Sequence, residues 1–327
     1  ADHRALLAVS GHHLILGGCG FIGRSVGLTL ARAGESVVLA DRVEPRETVP
    51  AALGNRLTWV RFELATADWD GLLEGAAVVH HYAWTSIPAT AAEDPPRDLA
   101  DNVLPTVRLL EAMRRSDHAP PLVFASSGGT VYGKPLRTPV REDHPLRPIT
   151  AYGAAKAAAE LYLGQYRALY GLDCRIARLA NPFGAGQSPT RGQGAATTFT
   201  HQALNGETIH VWGDGEVVRD YIHISDAAAG LIALAQADRP TGSATFNIGS
   251  GHGTSLNGIL AELEARLGHR LRVAREPARG FDVPISILDI DLAQDVLGWA
   301  PALSFSDGMG RMVSALQAQP GAFWTTD

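Results

Sequence analysis

Cysteine, lysine and long apolar runs are scarce in this sequence of 327 residues, and each scarcity excludes a class of protein. The two cysteines, Cys19 and Cys174, make no disulfide framework and are typical of a reducing compartment. No stretch reaches the roughly 18 consecutive apolar residues that a membrane-spanning helix needs. A net charge of −6 provides no basic surface for nucleic acid or acidic lipid. We therefore expect a cytoplasmic, globular protein that binds neither nucleic acid nor a membrane.

The composition also excludes disorder, because 46% of the residues are apolar and only 19% are charged. Among 28 basic residues, Lys134 and Lys156 are the only lysines. An arginine does not give up its proton at a useful pH, whereas a lysine can. Each of the two lysines is therefore a candidate for a chemical role.

Strand and helix patterns alternate along the first half of the chain. Residues 13–18 read as a short apolar strand that ends in glycines, residues 22–33 have one apolar helical face, and residues 36–40 form a strand that ends at Asp41. This order is a βαβ unit. Further strands are predicted at 57–62, 76–80, 121–125 and 173–179, with helices at 99–114 and 151–170. The alternation predicts an α/β fold with a doubly wound parallel sheet of the Rossmann kind.

The pattern changes after Asn181. Residues 181–194 are rich in glycine and proline and are predicted to form a loop. A helix at 196–204, a strand at 208–211 and a helix at 256–267 indicate a second, smaller α/β lobe, while a helix at 225–237 returns to the first domain. We therefore predict a Rossmann domain at residues 1–181 with a return segment at about 221–250. Residues 182–220 and 251–327 would form the smaller, substrate-binding lobe.

Three glycines follow the first predicted strand at intervals of three residues: Gly17, Gly20 and Gly23. Because glycine has no side chain, backbone N–H groups can approach a pyrophosphate at the positive end of the following helix. In a sequence with 35 glycines the spacing alone is weak evidence, but its place between a strand and a helix makes it specific. The motif predicts a dinucleotide cofactor. The alternative is a glycine-rich turn that binds nothing.

An acidic residue, Asp41, ends the second predicted strand. A carboxylate at this place accepts hydrogen bonds from an adenosine ribose and repels a 2′-phosphate, which favours NAD over NADP. Arg42 is the competing signal, because an arginine here could bind that phosphate. The alternative role for Asp41 is to cap the strand.

Tyr152 and Lys156 are four residues apart in a predicted helix and therefore lie on one helical face. A lysine ammonium one turn away stabilises a phenolate and lowers the pKa of tyrosine, which is about 10 in the free amino acid. A tyrosine with a lowered pKa moves a proton to or from a sugar hydroxyl near neutral pH. The alternative is a solvated pair on the helix surface.

Together with other segments, these motifs resemble one family over nearly the whole chain. The chain is similar to the extended short-chain dehydrogenase/reductases, in the branch of nucleotide-sugar epimerases and dehydratases typified by UDP-galactose 4-epimerase. As a set, its motifs are specific for this branch but not for one substrate. The segments that carry the resemblance are GGCGFIG, HYAWTS, DNVLPTVRLLEAMR, ASSGGTVYG, YGAAK, ARLANPFGAGQ, GDGEVVRDYIHISD and LGWAP.

The resemblance implies roles for individual residues and a homodimer paired through the helices at 99–114 and 151–170. Asn181, Arg219 and Arg279 would hold the diphosphate of a nucleotide sugar, which the fixed fork of arginine suits. The family usually has an aspartate where this chain has Glu63. The implied NAD-binding set is Gly17, Gly20, Phe21, Ile22, Gly23, Asp41, Arg42, Glu63, Leu64, Tyr82, Ala83, Ser86, Asn102, Tyr152 and Lys156.

One departure from the family concerns the catalytic hydroxyl. The family places a serine or threonine where this chain has Gly128, so Ser127, Thr130 or a water molecule would complete the proton path to Tyr152. Dehydratases of this branch have an Asp-Glu pair directly after that hydroxyl, whereas this chain has Gly129 and Thr130. Without those carboxylates, 4,6-dehydration lacks its acid and base.

The sequence therefore predicts an NAD-dependent nucleotide-sugar 4-epimerase that acts on a UDP- or dTDP-hexose by transient oxidation and re-reduction at C4. Tyr152 and Lys156 are the predicted catalytic pair, with Thr130 and Ser127 as candidate hydroxyls. A 4-ketoreductase or another NAD(P)-dependent oxidoreductase of nucleotide sugars is the alternative, and a non-catalytic NAD sensor is a third hypothesis. No cluster of histidine, cysteine or carboxylate residues has metal-ligand spacing, so no metal is expected.

Overall fold

A seven-stranded sheet forms the centre of the computed structural model, which describes residues 11–45, 50–189, 194–278 and 283–318. Its strands are β1 (His12–Leu16), β2 (Val37–Asp41), β3 (Leu57–Arg61), β4 (Ala76–His81), β5 (Leu122–Ser127), β6 (Cys174–Leu179) and β10 (Thr245–Ile248). Every pair of neighbours is parallel, and the order across the sheet is β10-β6-β5-β4-β1-β2-β3. The order reverses between β1 and β4, and ligands bind at the carboxyl ends of strands at such a switch point.

Helices cover both faces of this sheet, which is why its central strands are apolar on both sides. Ile15 of β1 packs in the core beneath α1 and α8, whereas Leu14 and Leu16 pack in the core beneath α5 and α6. The two cores contain almost all of the buried apolar residues of this unit. The helices of this unit are α1 (Phe21–Arg32), α2 (Trp69–Leu73), α3 (Pro88–Glu93), α4 (Pro95–Asp98), α5 (Leu104–Arg115), α6 (Ala151–Tyr170), α8 (Ile224–Gln236) and α10 (Asp291–Leu297).

A smaller lobe contains two further sheets and its own core. β9 is central: it pairs in parallel with β7 and β13 and antiparallel with β11, while β8 and β12 form a separate parallel pair. Phe183, Phe199, Ile259 and Met312 are among the residues of this third core. The elements are β7 (Asn181–Phe183), β8 (Ile209–Trp212), β9 (Val218–His223), β11 (Gly253–Ser255), β12 (Val273–Glu276), β13 (Ile285–Ser286), α7 (Ala195–Leu204), α9 (Leu256–Leu267) and α11 (Phe305–Ala318).

The predicted fold class, a doubly wound parallel sheet with a smaller α/β lobe, is confirmed. α8 and β10 return to the large sheet, and Leu288 and Trp299 from the last part of the chain also pack in its core. The single helix predicted at 99–114 is instead a π-helical turn (Leu99–Val103) followed by α5, and α4 directly precedes them. Pro105 has no backbone N–H to donate in this segment, and the Asn102 amide bonds to the Asp98 carbonyl at 3.0 Å, so local bonding departs from a regular α-helix.

The predicted loop at 181–194 begins with the short strand β7, and the strand β9 was not predicted at all. β7 has only three residues, too few for an alternating pattern to be visible. In β9 the apolar signal is interrupted by Arg219, which is partly exposed, and by Asp220, whose buried carboxylate accepts from the Ser250 and Gly251 N–H groups. These two strands therefore form through pairing with distant segments of the chain, which a local sequence pattern does not reveal.

Candidate active site

The glycine loop connects β1 to α1 at the carboxyl edge of the large sheet. Gly17 has a φ of +79°, and a Cβ atom there would lie 2.7 Å from the Ala83 backbone nitrogen. A Cβ at Gly23 would collide with the Gly17 carbonyl oxygen, so this position also requires glycine. Gly20 is the N-cap of α1, where no side chain caps the helix and no acidic residue lies in the first turn. The residues therefore fit a bound pyrophosphate, because the N–H groups at the start of α1 are left for an anion.

Asp41 lies at the end of β2 and holds this loop in place. One carboxylate oxygen accepts from the Cys19 N–H at 3.0 Å, and the other accepts from the Val43 N–H at 3.1 Å. Arg42 is exposed beside it. Burial and the neighbouring Asp41 carboxylate raise the pKa of Cys19 to about 12, so this cysteine is a protonated filler and not a nucleophile.

The other residues implied for the cofactor follow the ends of β3 and β4. Glu63 is exposed and Leu64 is buried directly after β3. The Tyr82 N–H donates to the Leu16 carbonyl at 3.0 Å, which sets Tyr82 and Ala83 beside the glycine loop. The Tyr82 hydroxyl lies 2.8 Å from His80 Nδ1.

Asn102 and Asp98, which are one helical turn apart, hold the segment that follows Ala83 through hydrogen bonds. The buried Asn102 amide oxygen accepts from the Thr85 N–H at 2.7 Å, and its nitrogen donates to an Asp98 carboxylate oxygen at 2.8 Å. The same Asp98 oxygen accepts from the Ser86 hydroxyl. Ser86 and Asn102, implied as cofactor neighbours, therefore have partners within the protein and shape the loop at 84–86.

Asp98 was missed in the sequence, although its spacing of four residues from Asn102 was a visible signal of a shared helical face. It is 4% exposed, and its Oδ2 has no hydrogen-bond partner among the described residues. Its charge raises the pKa of both Tyr152 and Lys156. A buried carboxylate thus belongs to the electrostatics of the predicted catalytic pair.

Tyr152 and Lys156 lie in the first turns of α6, whose N-terminus is capped by the Thr150 hydroxyl accepting from the Gly153 N–H at 3.1 Å. Lys156 is buried and donates from Nζ to the Ala125 carbonyl oxygen at 2.7 Å. Burial lowers the pKa of Lys156 to about 7. A lysine that titrates near neutrality is suited to proton transfer.

The predicted lowering of the Tyr152 pKa is wrong for the protein alone. Burial, with a smaller effect of the Asp98 carboxylate, raises the pKa of Tyr152 above its usual value. The Lys156 ammonium lies 5.8 Å from the centre of the Tyr152 ring and bonds to a backbone carbonyl. Desolvation therefore exceeds the effect of the lysine charge.

Leu288, which is distant in the sequence, packs against Gly128, where the family usually has a serine or threonine. A Cβ on Gly128 would lie 2.6 Å from Cδ1 of Leu288, which is 1% exposed. A side chain at position 128 would therefore have to displace Leu288, and the water alternative stays a prediction. Thr130 Oγ1, by contrast, is buried without a hydrogen-bond partner among the described residues, and Ser127 is partly exposed.

A buried polar network lies behind this region. Ser126 donates to Glu160, which forms an ion pair of 2.7 Å with Arg178, and Arg178 also donates to the Tyr132 hydroxyl at 2.9 Å. Tyr132 in turn donates to the Asn247 amide oxygen at 2.7 Å. Because these groups satisfy one another, we assign them to the structure of the domain and not to the reaction.

The residues implied for the substrate lie near the junction of the large sheet and the smaller lobe. Asn181 begins β7 and donates to the Asp220 carbonyl at 2.9 Å, and an added Cβ on Gly129 would lie 4.0 Å from its amide. Arg219 of β9 is partly exposed and donates to the Val283 carbonyl. Arg279 lies outside the described residues.

Within the described part of the chain, no group of three or more histidine, cysteine or carboxylate residues could hold a metal ion. No described helix has both the length and the apolar character needed to cross a membrane.

The chain matches the model of the NAD dependent epimerase/dehydratase family over residues 13–249. It belongs to this family. It is 34% identical over 306 residues to a UDP-glucose 4-epimerase of Mycolicibacterium smegmatis, covering 92% of this chain and 96% of that protein. It is 29% identical over 320 residues to a dTDP-4-dehydro-6-deoxyglucose reductase of Escherichia coli, covering 94% and 98%.

A solved structure gives the same result in three dimensions. The UDP-glucose 4-epimerase of Thermotoga maritima, determined with UDP-glucose, superimposes with a TM-score of 0.85 at 30% identity, covering 94% of this chain and 99% of that one. These findings confirm the predicted resemblance, the NAD cofactor and the assignment as an enzyme of the epimerase/dehydratase family.

Proposed function

We propose that this family member is a nucleotide-sugar 4-epimerase acting on a UDP- or dTDP-hexose. The observation that carries the proposal is the pair formed by half-buried Tyr152 and buried Lys156 at the same sheet edge as the glycine loop. A lysine with a pKa of about 7 beside a tyrosine supplies a proton carrier that works in both directions near neutral pH. Epimerisation needs this reversibility, because the same group removes and returns the hydroxyl proton.

In this mechanism the Tyr152 phenolate takes the proton from the C4 hydroxyl, and the positive charge of Lys156 stabilises that phenolate against the burial that raises its pKa. Bound NAD would accept a hydride from C4 and return it to the opposite face of the sugar. The partnerless Thr130 hydroxyl is the better candidate for the proton path, because a buried hydroxyl without a partner is stabilised when a ligand supplies one. Ser127, partly exposed, is the second candidate.

Substrate binding is assigned to Asn181, Arg219 and Arg279, which would hold the diphosphate while the sugar turns over in the site. Gly129 and Thr130 stand where a dehydratase has its acidic pair, so 4,6-dehydration is disfavoured. Reduction of a 4-keto sugar is the second candidate function. The similarity to the Escherichia coli reductase over 94% of the chain favours it.

Activity assays separate these functions. The purified protein, incubated with UDP-glucose, UDP-galactose or the dTDP-hexoses, should interconvert C4 epimers without net consumption of NADPH. Tyr152→Phe should slow turnover by about 10²–10⁴, the usual contribution of a positioned acid or base, while NAD stays bound. Tyr162→Phe, an exposed tyrosine on the same helix, is the matched control and should keep full activity. Net NADPH oxidation with a 4-keto sugar, or full activity of Tyr152→Phe, would contradict the epimerase proposal.

The domain division remains part of the proposal: residues 1–181 with a return at about 221–250 bind NAD, and residues 182–220 and 251–327 bind the nucleotide sugar. Supporting facts are the return of α8 and β10 to the large sheet and the separate core of the smaller lobe. A mutant with a disabled diphosphate contact, Arg219→Ala, should lose affinity for the nucleotide sugar but keep its NAD. Loss of NAD in that variant would contradict the division.

The assembly is proposed to be a homodimer paired through α5 and α6. Six large apolar side chains at or beside these helices are 42–68% exposed: Leu99, Leu104, Leu161, Tyr162, Leu169 and Tyr170. Such a patch on a soluble chain is typical of an interface. Light scattering should give twice the mass of one chain, and Leu161→Glu should give a monomer. Leu136→Glu, at a side chain of similar exposure outside the patch, should leave the dimer intact.

A further inference from the structure

The Lys156 ammonium lies among three aromatic rings. Nζ is 3.7 Å from the centre of the Trp84 ring, 4.8 Å from that of Phe124 and 5.8 Å from that of Tyr152. Trp84 itself stands edge-to-face on both other rings, at 5.9 Å from Phe124 and 6.3 Å from Tyr152. A cation at this distance from an indole face is attracted by the negative charge density of the ring.

The charged groups around Lys156 act from a distance. Glu160 on the same helix and Asp98 on α4 raise the pKa of Lys156, and the Lys156 charge lowers the pKa of His81 at the end of β4. Glu160 is paired with Arg178. Within the described part of the chain, no carboxylate forms an ion pair with Lys156. The Ala125 carbonyl and the aromatic faces are therefore its immediate partners.

We propose that Trp84 is a positioning residue, whose indole face forms with Phe124 and the Ala125 carbonyl a seat that holds the Lys156 ammonium beside the Tyr152 phenol. A lysine side chain has four flexible torsions, and one carbonyl oxygen fixes only the direction of a single N–H bond. A ring face 3.7 Å away restricts the remaining freedom of the ammonium. The seat also excludes water, so that the lysine charge acts on Tyr152 in a dry environment.

The face of the indole, and not its N–H group, makes this contact. Trp84 Nε1 is buried without a hydrogen-bond partner among the described residues, so a hydrogen bond does not hold the ring. The ring packs instead against the hydrophobic core that contains Phe124. Phenylalanine would keep a weaker version of the same contact, whereas leucine would keep the apolar volume without a π face.

Removal of the π face has a predictable electrostatic result. The attraction favours the charged form of Lys156, so the Trp84→Leu variant should lower the titration midpoint of Lys156 by about one pH unit. From a pKa of about 7, this change reduces the protonated fraction at pH 7 from about one half to about one tenth. The role of Lys156 in proton transfer rests on the proposed function. In that function, the basic limb of the pH–rate profile should move to lower pH by the same amount.

The small number of lysines permits a direct test on the NAD-loaded protein. With ¹³C-labelled lysine, only Lys134 and Lys156 contribute ε-methylene signals, and Lys134→Arg assigns them. The Lys156 signal should be shifted upfield by the ring current of Trp84. The shift should disappear in Trp84→Leu, remain in part in Trp84→Phe, and stay unchanged in Trp59→Leu, a control at another indole with a buried, partnerless nitrogen.

The pH titration of the same signal completes the experiment. A midpoint that falls by about one pH unit in Trp84→Leu but by less in Trp84→Phe supports the seat. An unshifted Lys156 signal in the wild type, or a midpoint that is unchanged or raised in Trp84→Leu, overturns it. If Trp84→Leu does not fold, the intermediate shift expected of Trp84→Phe decides in its place. The NMR readout does not require turnover, so it is independent of the proposed function. If the Lys156 signal behaves as expected while Tyr152→Phe is fully active, the proposed function alone is refuted.

Discussion

Gly128 and Leu288 give a sharp test of whether this chain could carry the hydroxyl that its family usually has. Gly128→Ser introduces that hydroxyl, but its Cβ would lie 2.6 and 2.9 Å from the two methyl groups of Leu288 and 3.2 Å from the Arg178 carbonyl oxygen. Neither backbone can move freely, because the Gly128 N–H donates to the Leu179 carbonyl at 2.8 Å and the Leu288 N–H donates to Asp220 at 3.3 Å. The strain must therefore be absorbed by the core around Leu288.

The expected cost follows from overpacking. Insertion of extra atoms into a well-packed core costs about 1–3 kcal/mol, and truncation of Leu288 to alanine alone costs about 2–5 kcal/mol. The two changes are complementary, because alanine at 288 removes the methyl groups that the new Cβ meets. The double variant should therefore be more stable than the sum of the single effects predicts, with a coupling of about 1–3 kcal/mol.

Denaturant unfolding monitored by fluorescence measures these values, and thermal unfolding gives an independent estimate at about 1.5 °C per kcal/mol for a chain of this length. Gly129→Ser is the matched control, since its Cβ would meet only the Asn181 amide at 4.0 Å, and its stability should stay within about 0.5 kcal/mol of the wild type. If Gly128→Ser is as stable as Gly129→Ser, or if the double variant shows no coupling, then Leu288 does not exclude a side chain at position 128.

Two further predictions concern the proton path and acid stability. Thr130→Val should reduce turnover at unchanged NAD content while Ser127→Ala stays near the wild type; the reverse order would assign the hydroxyl to Ser127. Burial lowers the pKa of His80 and His81 from 6.5 to about 3, so the unfolded state binds protons first as the pH falls. Stability should then be present above pH 6.5 and be lost between pH 6.5 and 3, at about 1.4 kcal/mol per pH unit for each histidine. Urea unfolding of His81→Gln across this range should show a slope smaller by one proton, and an unchanged slope would contradict the assignment.

Local patterns predicted the parts of the fold that are encoded locally. The strands β1, β2 and β5 are buried along almost their whole length, so they read as largely apolar runs, and glycines and charged residues mark their surroundings. The pair Tyr152 and Lys156 was visible because a spacing of four residues on a helix implies a shared face. The glycine loop was visible because its steric requirement is local: Gly23 meets Gly17, only six residues away.

The parts that were not predicted depend on residues far apart in the chain. Leu288 closes the position next to Gly128 across 160 residues, and no local pattern marks one leucine as a neighbour of one glycine. Trp84 lies in a loop, where a tryptophan is read as generic packing until Lys156 is placed over its ring. The error in the Tyr152 pKa has the same origin, because helical spacing gives the distance to a charge but not the degree of burial, and burial here has the larger effect.

The unforeseen contacts have one consequence for the chemistry. Among the described residues, the Thr130 hydroxyl, one Asp98 oxygen and the Trp84 indole N–H are buried near Tyr152 without a hydrogen-bond partner. A buried polar atom without a partner costs about 1–3 kcal/mol, which a correctly placed ligand hydroxyl or N–H regains on binding. Under the proposed function, a sugar with adjacent hydroxyls would donate a hydrogen bond to Asp98 and share another with Thr130, whereas an apolar ligand would do neither.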